Sequence, residues 1–392
     1  MVFLAPRTWI LVPEQMPYWR LSSFYLFYFA SLGALIPYWS LYLKHLGFNI
    51  ADIGTLMAII MATKVISPNI WGWIADHTGK RMAIVRLGSL LAAMTFACIF
   101  WVQSYWWLAL VMLLFSFFWN AALPQFEATT FTHLREDVHR YSSIRLWGSI
   151  GFVLSVWGLG LLLEGQGIVL LPIVLLMLYA GIWLSSLMVP EEAAGHLPLN
   201  HESLKSVLRR PQVLGLLLAC FLMQASHGPY YTFYSIYMQE HHYSLEWIGS
   251  LWALGVIAEI IVFLLMPRWV PKFGIRNLLL VSLALATLRW VLTGLFPENV
   301  MLMILAQTLH AATFGVYHAT AIQLIHHHFA GRHQGKGQAL YSSLSFGAGG
   351  AVGSLYSGYS WELFGAEATY LMAAGISLVA FIVAWKWVVV EK

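Results

Sequence analysis

The sequence predicts an all-α membrane protein of twelve transmembrane helices in two six-helix bundles. Three observations predict it. The chain is 60% hydrophobic and only 10% charged, its apolar stretches recur at the length of a bilayer crossing, and its second half repeats the pattern of its first. An ordinary soluble domain is about a quarter charged. A chain this apolar cannot cover its own surface with polar groups, so lipid must do the covering.

A spanning helix needs about 20 mostly apolar residues. Twelve such runs are present, at 18–43, 51–74, 82–103, 105–131, 144–163, 168–189, 212–238, 244–266, 277–296, 299–325, 338–360 and 366–387. Strands of a membrane barrel would alternate in polarity towards the lumen; these runs are apolar throughout. The 21 Lys and Arg gather at the N-terminus, in the loops after even-numbered runs, and at the C-terminus. Examples are Lys80, Arg81 and Arg86; Arg135 and Arg140; Lys205, Arg209 and Arg210; Arg268, Lys272 and Arg276; Arg332 and Lys336. The opposite loops carry Lys44 alone, beside Glu164, Glu240, Glu246, Glu298, Glu362 and Glu367. Positive charge stays on the cytoplasmic side, so both termini are expected in the cytoplasm of a cell inner membrane, as an even number of crossings requires. Cys98 and Cys220 fall inside apolar runs and read as small buried hydrophobes. Pro6 and Pro13 break the apolar start and no small-residue cleavage site follows, so no removable signal peptide is expected.

The runs divide into residues 1–189 and 212–392, joined by a polar linker at 190–211 that contains Pro190, Pro198 and Pro211. At a constant offset, Ser40 meets Ser235, Tyr42 meets Tyr237, Ile53-Gly54 meet Ile248-Gly249, and Leu56 meets Leu251. The same offset carries Gly79 and Arg81 onto Gly274 and Arg276, and a slightly larger one carries Trp147-Gly148 onto Phe346-Gly347. An even number of spans per half makes this a parallel repeat, the architecture of two bundles flanking a midplane cavity.

The segment after the second run reads Gly72-Trp-Ile-Ala-Asp76-His-Thr-Gly79-Lys80-Arg81. It resembles the G-x-x-x-D-x-x-G-[KR]-[KR] signature of the major facilitator superfamily. The chemistry is readable in the residues themselves. Gly72 permits close helix approach, Asp76 suits a helix end or an Arg partner, Gly79 allows a tight turn, and Lys80-Arg81 hold the loop inside. The second-half copy has Pro267 and Pro271 where Gly72 and Asp76 stand. Further matches cover most of the chain: FYFASLGALIPYWSLYL, ATKVISPNIWGWIADHTGKR, IRLWGSIGF, LHAATFGVYHATA and ALYSSLSFGAGGAVGSLYSG. These resemble the phenylpropionate permease branch, related to the lactose permease type of proton symporters.

An ionisable group within a span costs at least about 2.5–3.5 kcal/mol and marks a functional position by default. The candidates are Lys64, Glu127 and Arg145 in the first half, and His227, Glu259, Arg289, His310 and His318 in the second. The resemblance assigns Glu127 and Arg145 to substrate binding; a structural ion pair between adjacent helices is the plainer reading. Arg289 and His310 match positions that support proton coupling in the lactose permease type, and Glu259 resembles its carboxylate displaced by about one turn. Gln307, Thr313 and Phe346 stand where that type has charged groups, so its coupling scheme cannot be copied directly. Proton coupling is therefore expected to rest on Glu259 as carrier, alternating between paired and unpaired states with Arg289 as its modulator, and on His310 as relay or substrate donor; a purely structural Glu259–Arg289 bridge is the alternative.

Lys64 has no counterpart in the lactose permease type. A point-charge cation facing a cavity suits a carboxylate, although Lys64 could also snorkel or pair with an acidic side chain. Aromatic surface for an arylpropionate is expected from Trp39, Trp71, Tyr25, Tyr28, Trp119, Tyr230, Tyr231 and Tyr234. His326, His327, His328 and His333 more simply end a helix than hold a metal, because neighbouring helical residues point apart.

The resulting expectation is a proton-coupled secondary transporter of a small aromatic monocarboxylate. Lys64, Glu127, Arg145 and His310 would bind substrate, Glu259, Arg289 and His310 would couple protons, and Gly72, Asp76, Gly79, Lys80 and Arg81 would form the conformational motif. The rival substrate is a sugar or nucleoside; rivals of another class are a membrane sensor or a membrane-embedded enzyme. There is no G-x-x-x-x-G-K-[ST] loop, no H-E-x-x-H and no nucleophile elbow, so ATP-driven pumping and enzymatic catalysis are disfavoured. No cofactor and no nucleic-acid partner is expected; the partners are the substrate, protons and the bilayer, with oligomeric state left open.

Overall fold

The computed structural model describes residues 17–101, 104–135, 137, 140–191, 207–329 and 334–389. Most of the 190–211 linker, together with Pro6, Pro13, Lys205, Arg332 and His333, lies outside the described residues. Among the described residues, eleven helices are long and apolar enough to cross a membrane: α1 Tyr18–His45, α2 Ile50–Thr78, α3 Arg81–Phe100, α4 Tyr105–Leu134, α5 Tyr141–Gln166, α6 Ile168–Leu187, α7 Pro211–Glu240, α8 Leu245–Phe273, α9 Ile275–Leu295, α10 Val300–His328 and α11 Gly335–Trp387. No strand occurs among the described residues. The protein is a multi-pass, all-helical membrane protein.

The helix starts follow local chemistry, and the internal repeat carries that chemistry along. Asn49, Ser104, Ser244 and Asn299 precede α2, α4, α8 and α10, and each side chain accepts a hydrogen bond from a first-turn backbone N–H. Such caps satisfy donors that the helix cannot reach itself. The second pair of caps follows the first at the repeat offset. Gly79 ends α2 at φ +68°, a left-handed conformation that glycine adopts without a Cβ clash, and its N–H bonds Ala75 O at 2.8 Å.

The last apolar stretch differs from expectation in form. Runs eleven and twelve are one 53-residue segment, α11, in which Gly365 has φ 85° and ψ 172°. Ser360 Oγ lies 2.9 Å from Thr369 Oγ1, and the Trp361 and Tyr370 rings are 6.2 Å apart. Residues nine apart on a straight helix are separated by about 13 Å. The chain therefore turns back at Gly365.

Helix α1 packs on α5 and α6, α3 on α4 and α6, and α2 on α4. In the second half α11 packs on α7 and α9, while α10 packs on α8 and α9. The two sets meet where α2 runs along α11, α5 along α8 and α1 along α7. Three polar contacts join α1–α6 to α7–α11 at the end carrying the α1–α2 turn. Lys44 Nζ pairs with Glu240 Oε1 at 2.7 Å, Leu245 N donates to Glu164 Oε2 at 2.6 Å, and Ala51 N donates to Glu362 Oε2 at 3.1 Å. Glu164 of α5 thus caps α8, while Glu362 of α11 caps α2. A carboxylate at a helix N-terminus is favoured by the macrodipole, and the repeat relates the two caps.

Backbone contact completes the seal. A Cβ on Gly54 would lie 2.8 Å from Gly358 Cα, and one on Gly249 would lie 2.6 Å from Val156 O and 3.2 Å from Gly160 Cα. These are again repeat-related positions, and any side chain larger than hydrogen forces the helices apart. Replacing both Gly54 and Gly249 with Trp is expected to lengthen the distance between spin labels on His45→Cys and Glu246→Cys, read by pulsed dipolar spectroscopy. An unchanged distance would show that the glycine contacts do not hold this end together.

Candidate functional site

Helices α8, α9 and α10 bring three of the expected groups into a row. Arg289 of α9 is fully buried. Its Nη1 contacts His310 Nδ1 at 3.1 Å and Thr313 Oγ1 at 3.0 Å, and its Nη2 donates to Gln307 Oε1 at 3.4 Å. Tyr230 OH donates to the same Gln307 oxygen at 3.1 Å. The guanidinium lies 4.1 Å from the Tyr230 ring and 4.7 Å from the Trp290 ring. A buried cation needs compensation; here neutral acceptors and ring faces supply it. His310 immediately precedes a π-helical turn, Ala311–Val316, a rare feature frequent at functional sites.

The contact between Arg289 and His310 fixes a tautomer. A guanidinium has only donors, so Nδ1 of His310 must accept and the ring proton of the neutral imidazole sits on Nε2. That nitrogen lies 3.6 Å from Glu259 Oε2. Glu259 of α8 is therefore separated from Arg289 by the imidazole. No direct Glu259–Arg289 pair forms in this conformation, in which His310 lies between the two. His227 is also fully buried, at the break in α7, where its Nδ1 meets Met223 O at 2.8 Å and its ring stands edge-on to Trp290 at 4.8 Å.

The first half contributes Lys64, Glu127 and Arg145. Glu127 of α4 accepts from Tyr141 OH at 3.4 Å. The Arg145 guanidinium of α5 sits 3.7 Å over the Phe29 ring and 5.6 Å from that of Tyr25. Glu127 and Arg145 make no ion pair within 4 Å, since the guanidinium is drawn onto the Phe29 face. The two are linked through tyrosines: the Tyr25 ring lies 6.5 Å from that of Tyr141, which bonds Glu127.

Lys64 of α2 is half-buried and has no hydrogen bond or ion pair with any described residue. Its neighbours fasten α2 to α4: Thr63 Oγ1 donates to Ser116 Oγ at 2.9 Å, Asn120 Nδ2 to Thr63 Oγ1 at 3.0 Å, and Ser67 Oγ to Phe117 O at 2.5 Å. On another side, a Cβ at Gly347 of α11 would lie 3.4 Å from the Lys64 carbonyl carbon. Lys64 is held where α2 meets α11.

The motif residues lie away from this region, at the end of α2. Arg81 Nη2 meets Asp76 Oδ1 at 3.3 Å and Gly79 makes the turn, while Lys80 precedes α3. In this conformation a Cβ at Gly72 would meet only Gln125 Nε2 at 3.6 Å, an ordinary contact, so close packing does not demand glycine there.

Several of the aromatic residues expected along the path pack against other rings. Trp39 stacks on Tyr42, and Tyr28 stacks on Trp119, all of them buried; Trp71 packs beside Phe117 and Phe118. Tyr230 and Tyr234 are buried around Trp252. Sequence reasoning did not foresee that Gln307 and Thr313 bond Arg289, although it marked both as departures from a charged pattern. That replacement was the available signal: where charges are lost around a retained Arg, neutral acceptors must take their place.

The sequence model of the "MFS_1 like family" matches residues 18–372. The "Probable 3-phenylpropionic acid transporter" of Escherichia coli (strain K12) is 29% identical over 358 residues, covering 89% of this chain and 92% of that protein. The "Maltose permease" of Geobacillus stearothermophilus is 26% identical, covering 92% of each. The crystal structure of nucleoside transporter NupG superposes with a TM-score of 0.81 at 17% identity, covering 95% of this chain and 99% of that one.

Proposed function

The chain belongs to the MFS_1 like family of transporters, and from that premise we propose that it is a proton-coupled symporter of a small aromatic monocarboxylate of the 3-phenylpropionate kind. The observation that carries the substrate class is Lys64, a cation within a span, half-buried and without a partner among the described residues. A desolvated cation is costly, and a carboxylate substrate would relieve that cost whenever it bound. The similarity to a relative named for 3-phenylpropionic acid points the same way.

In this reading the turn at Gly365 divides α11 into two crossings. A 53-residue helix would extend for about 80 Å, against a hydrocarbon core of about 30 Å. Twelve crossings then form two six-helix bundles, 1–189 and 212–392, joined by a cytoplasmic linker at 190–211. The charge pattern supports cytoplasmic termini in a cell inner membrane. The sealed end is then external and the conformation is open to the inside. Lys64, Glu127 and Arg145 face Glu259, Arg289 and His310 across the midplane, and the Gly72–Arg81 motif guards the cytoplasmic end. Lys64 and Arg145 serve as substrate anchors, Glu127 and His310 as hydrogen-bonding partners, and Glu259, with His310 between it and Arg289, as proton carrier.

The test is substrate-induced alkalinisation in cells across aryl-carboxylates, sugars and nucleosides. A rise in external pH with arylpropionates alone is expected, after passive entry of the protonated acid is subtracted with a Lys64→Ala control. A response to sugars or nucleosides instead would support the rival substrate class and return the site to Glu127 and Arg145. The family members named for maltose and nucleosides give that outcome its standing.

A further inference from the structure

We infer that the substrate's ring is recognised by an aromatic corner formed by Phe314, His318 and Phe346, a subsite distinct from the carboxylate anchor. The inference rests on the aryl-carboxylate reading above and adds which residues distinguish an aromatic from an aliphatic acid.

The corner has two walls. On α10, His310, Phe314 and His318 recur every four residues. Phe314 stacks on His310 at 5.4 Å and 11° and on His318 at 5.8 Å and 13°. Residues four apart share a helix face, and the π-helical turn runs through this stretch. The second wall is Phe346 of α11, whose ring meets Phe314 at 6.1 Å and 60° and His318 at 5.6 Å and 68°. Aromatic rings prefer offset-stacked or edge-to-face neighbours. A ring entering this corner would find one wall for each.

The corner is held in shape from behind. His318 Nδ1 lies 3.0 Å from Tyr341 OH, which fixes the imidazole plane, and Tyr341 itself stands edge-on to Phe346 at 5.8 Å and 82°. Tyr341 and Tyr317 are buried, whereas Phe314, His318 and Phe346 are only half-buried.

The corner also lies beside the stretch of α2 that carries Lys64. Gly347, next in chain to Phe346, packs against the Lys64–Val65 backbone. An acid whose carboxylate reaches Lys64 through a short flexible tether would lay its ring against Phe314 and Phe346. The sequence repeat does not reveal this pairing, because it depends on the π-helical turn of α10 and on the approach of α11 to α2.

The experiment compares binding of 3-phenylpropionate and 3-cyclohexylpropionate to the purified full-length protein by calorimetry. Both acids carry the same anchor on rings of similar size. The wild type is expected to favour the phenyl acid by about two- to tenfold, the range of an aromatic pair beyond its buried area. Phe314→Leu and Phe346→Leu are each expected to remove most of that preference, and Phe314→Tyr to retain it. Phe117→Leu, on α4 away from the corner, should leave the ratio unchanged. Equal affinity of the wild type for both acids would overturn the aromatic corner while sparing the carboxylate reading. So would Leu variants that weaken both acids alike. Failure of the wild type to bind either acid would instead sink the carboxylate reading, and this inference with it. The wild-type ratio needs no variant to fold, so it decides the matter even if a Leu variant is unstable.

Discussion

Lys64→Ala is expected to weaken binding of 3-phenylpropionate by about thirtyfold or more. Removing one member of a partly buried, hydrogen-bonded charge pair costs about 2–5 kcal/mol, and 1.4 kcal/mol is tenfold in affinity. Lys64 is half-buried beside the α2–α11 contact, so it falls near the lower end of that range. Its lack of a partner among the described residues makes a second expectation. A lysine that merely bridged two helices would leave an orphaned carboxylate when removed and lower the melting temperature. Here alanine should leave thermal stability unchanged or raise it, because an uncompensated cation leaves the protein interior. Calorimetric binding and a thermal melt on the same preparation separate the two roles. Lost stability with intact binding would return Lys64 to structure. Lost binding of the acid, with binding of a neutral sugar retained, would tie Lys64 to the carboxylate.

The fold was legible because it rests on regularities that a single sequence displays. Apolar runs of bilayer length located most helix ends to within about four residues, though α8 runs on to Phe273, seven residues past its run, and the repeat carried caps such as Asn49 and Ser244 to matching starts. The turn within α11 was legible as a gap between two runs near Gly365. The site was legible by residue type and much less so by contact. Glu259, Arg289 and His310 stood out as ionisable groups inside spans, and all three do come together. Their order was not foreseen, since it depends on how α8, α9 and α10 cross and on the π-helical turn after His310. Glu127 and Arg145 likewise lie close, but Arg145 spends its charge on the face of Phe29, a residue that no charge pattern singles out. The aromatic residues were the least legible. At 15% of the chain they are too numerous for composition to separate Trp39, buried in packing, from Phe314, half-buried between His310 and His318.

That order has a consequence for proton coupling, tested by Glu259→Gln. Symport of one carboxylate with one proton moves no net charge, so the membrane potential cannot drive it and the pH gradient alone must. A gradient of one unit is worth about 1.4 kcal/mol, which supports about tenfold accumulation. The glutamine variant is expected to lose that accumulation entirely in proteoliposomes, falling to about onefold, while exchanging labelled for unlabelled acid at a near-wild-type rate. Glutamine keeps an acceptor oxygen towards His310 Nε2, which the Arg289 contact holds in the donor tautomer, so the row should remain intact while its carboxylate is gone. Arg289 cannot take over, because a guanidinium has only donors and no site to accept a proton. His310 and Glu127 could. Accumulation that survives Glu259→Gln would therefore move the carrier to one of them, and the corresponding His310→Gln and Glu127→Gln variants would say which. Loss of both accumulation and exchange would show instead that Glu259 is needed for the halves to move at all, a structural role that the pH gradient does not touch.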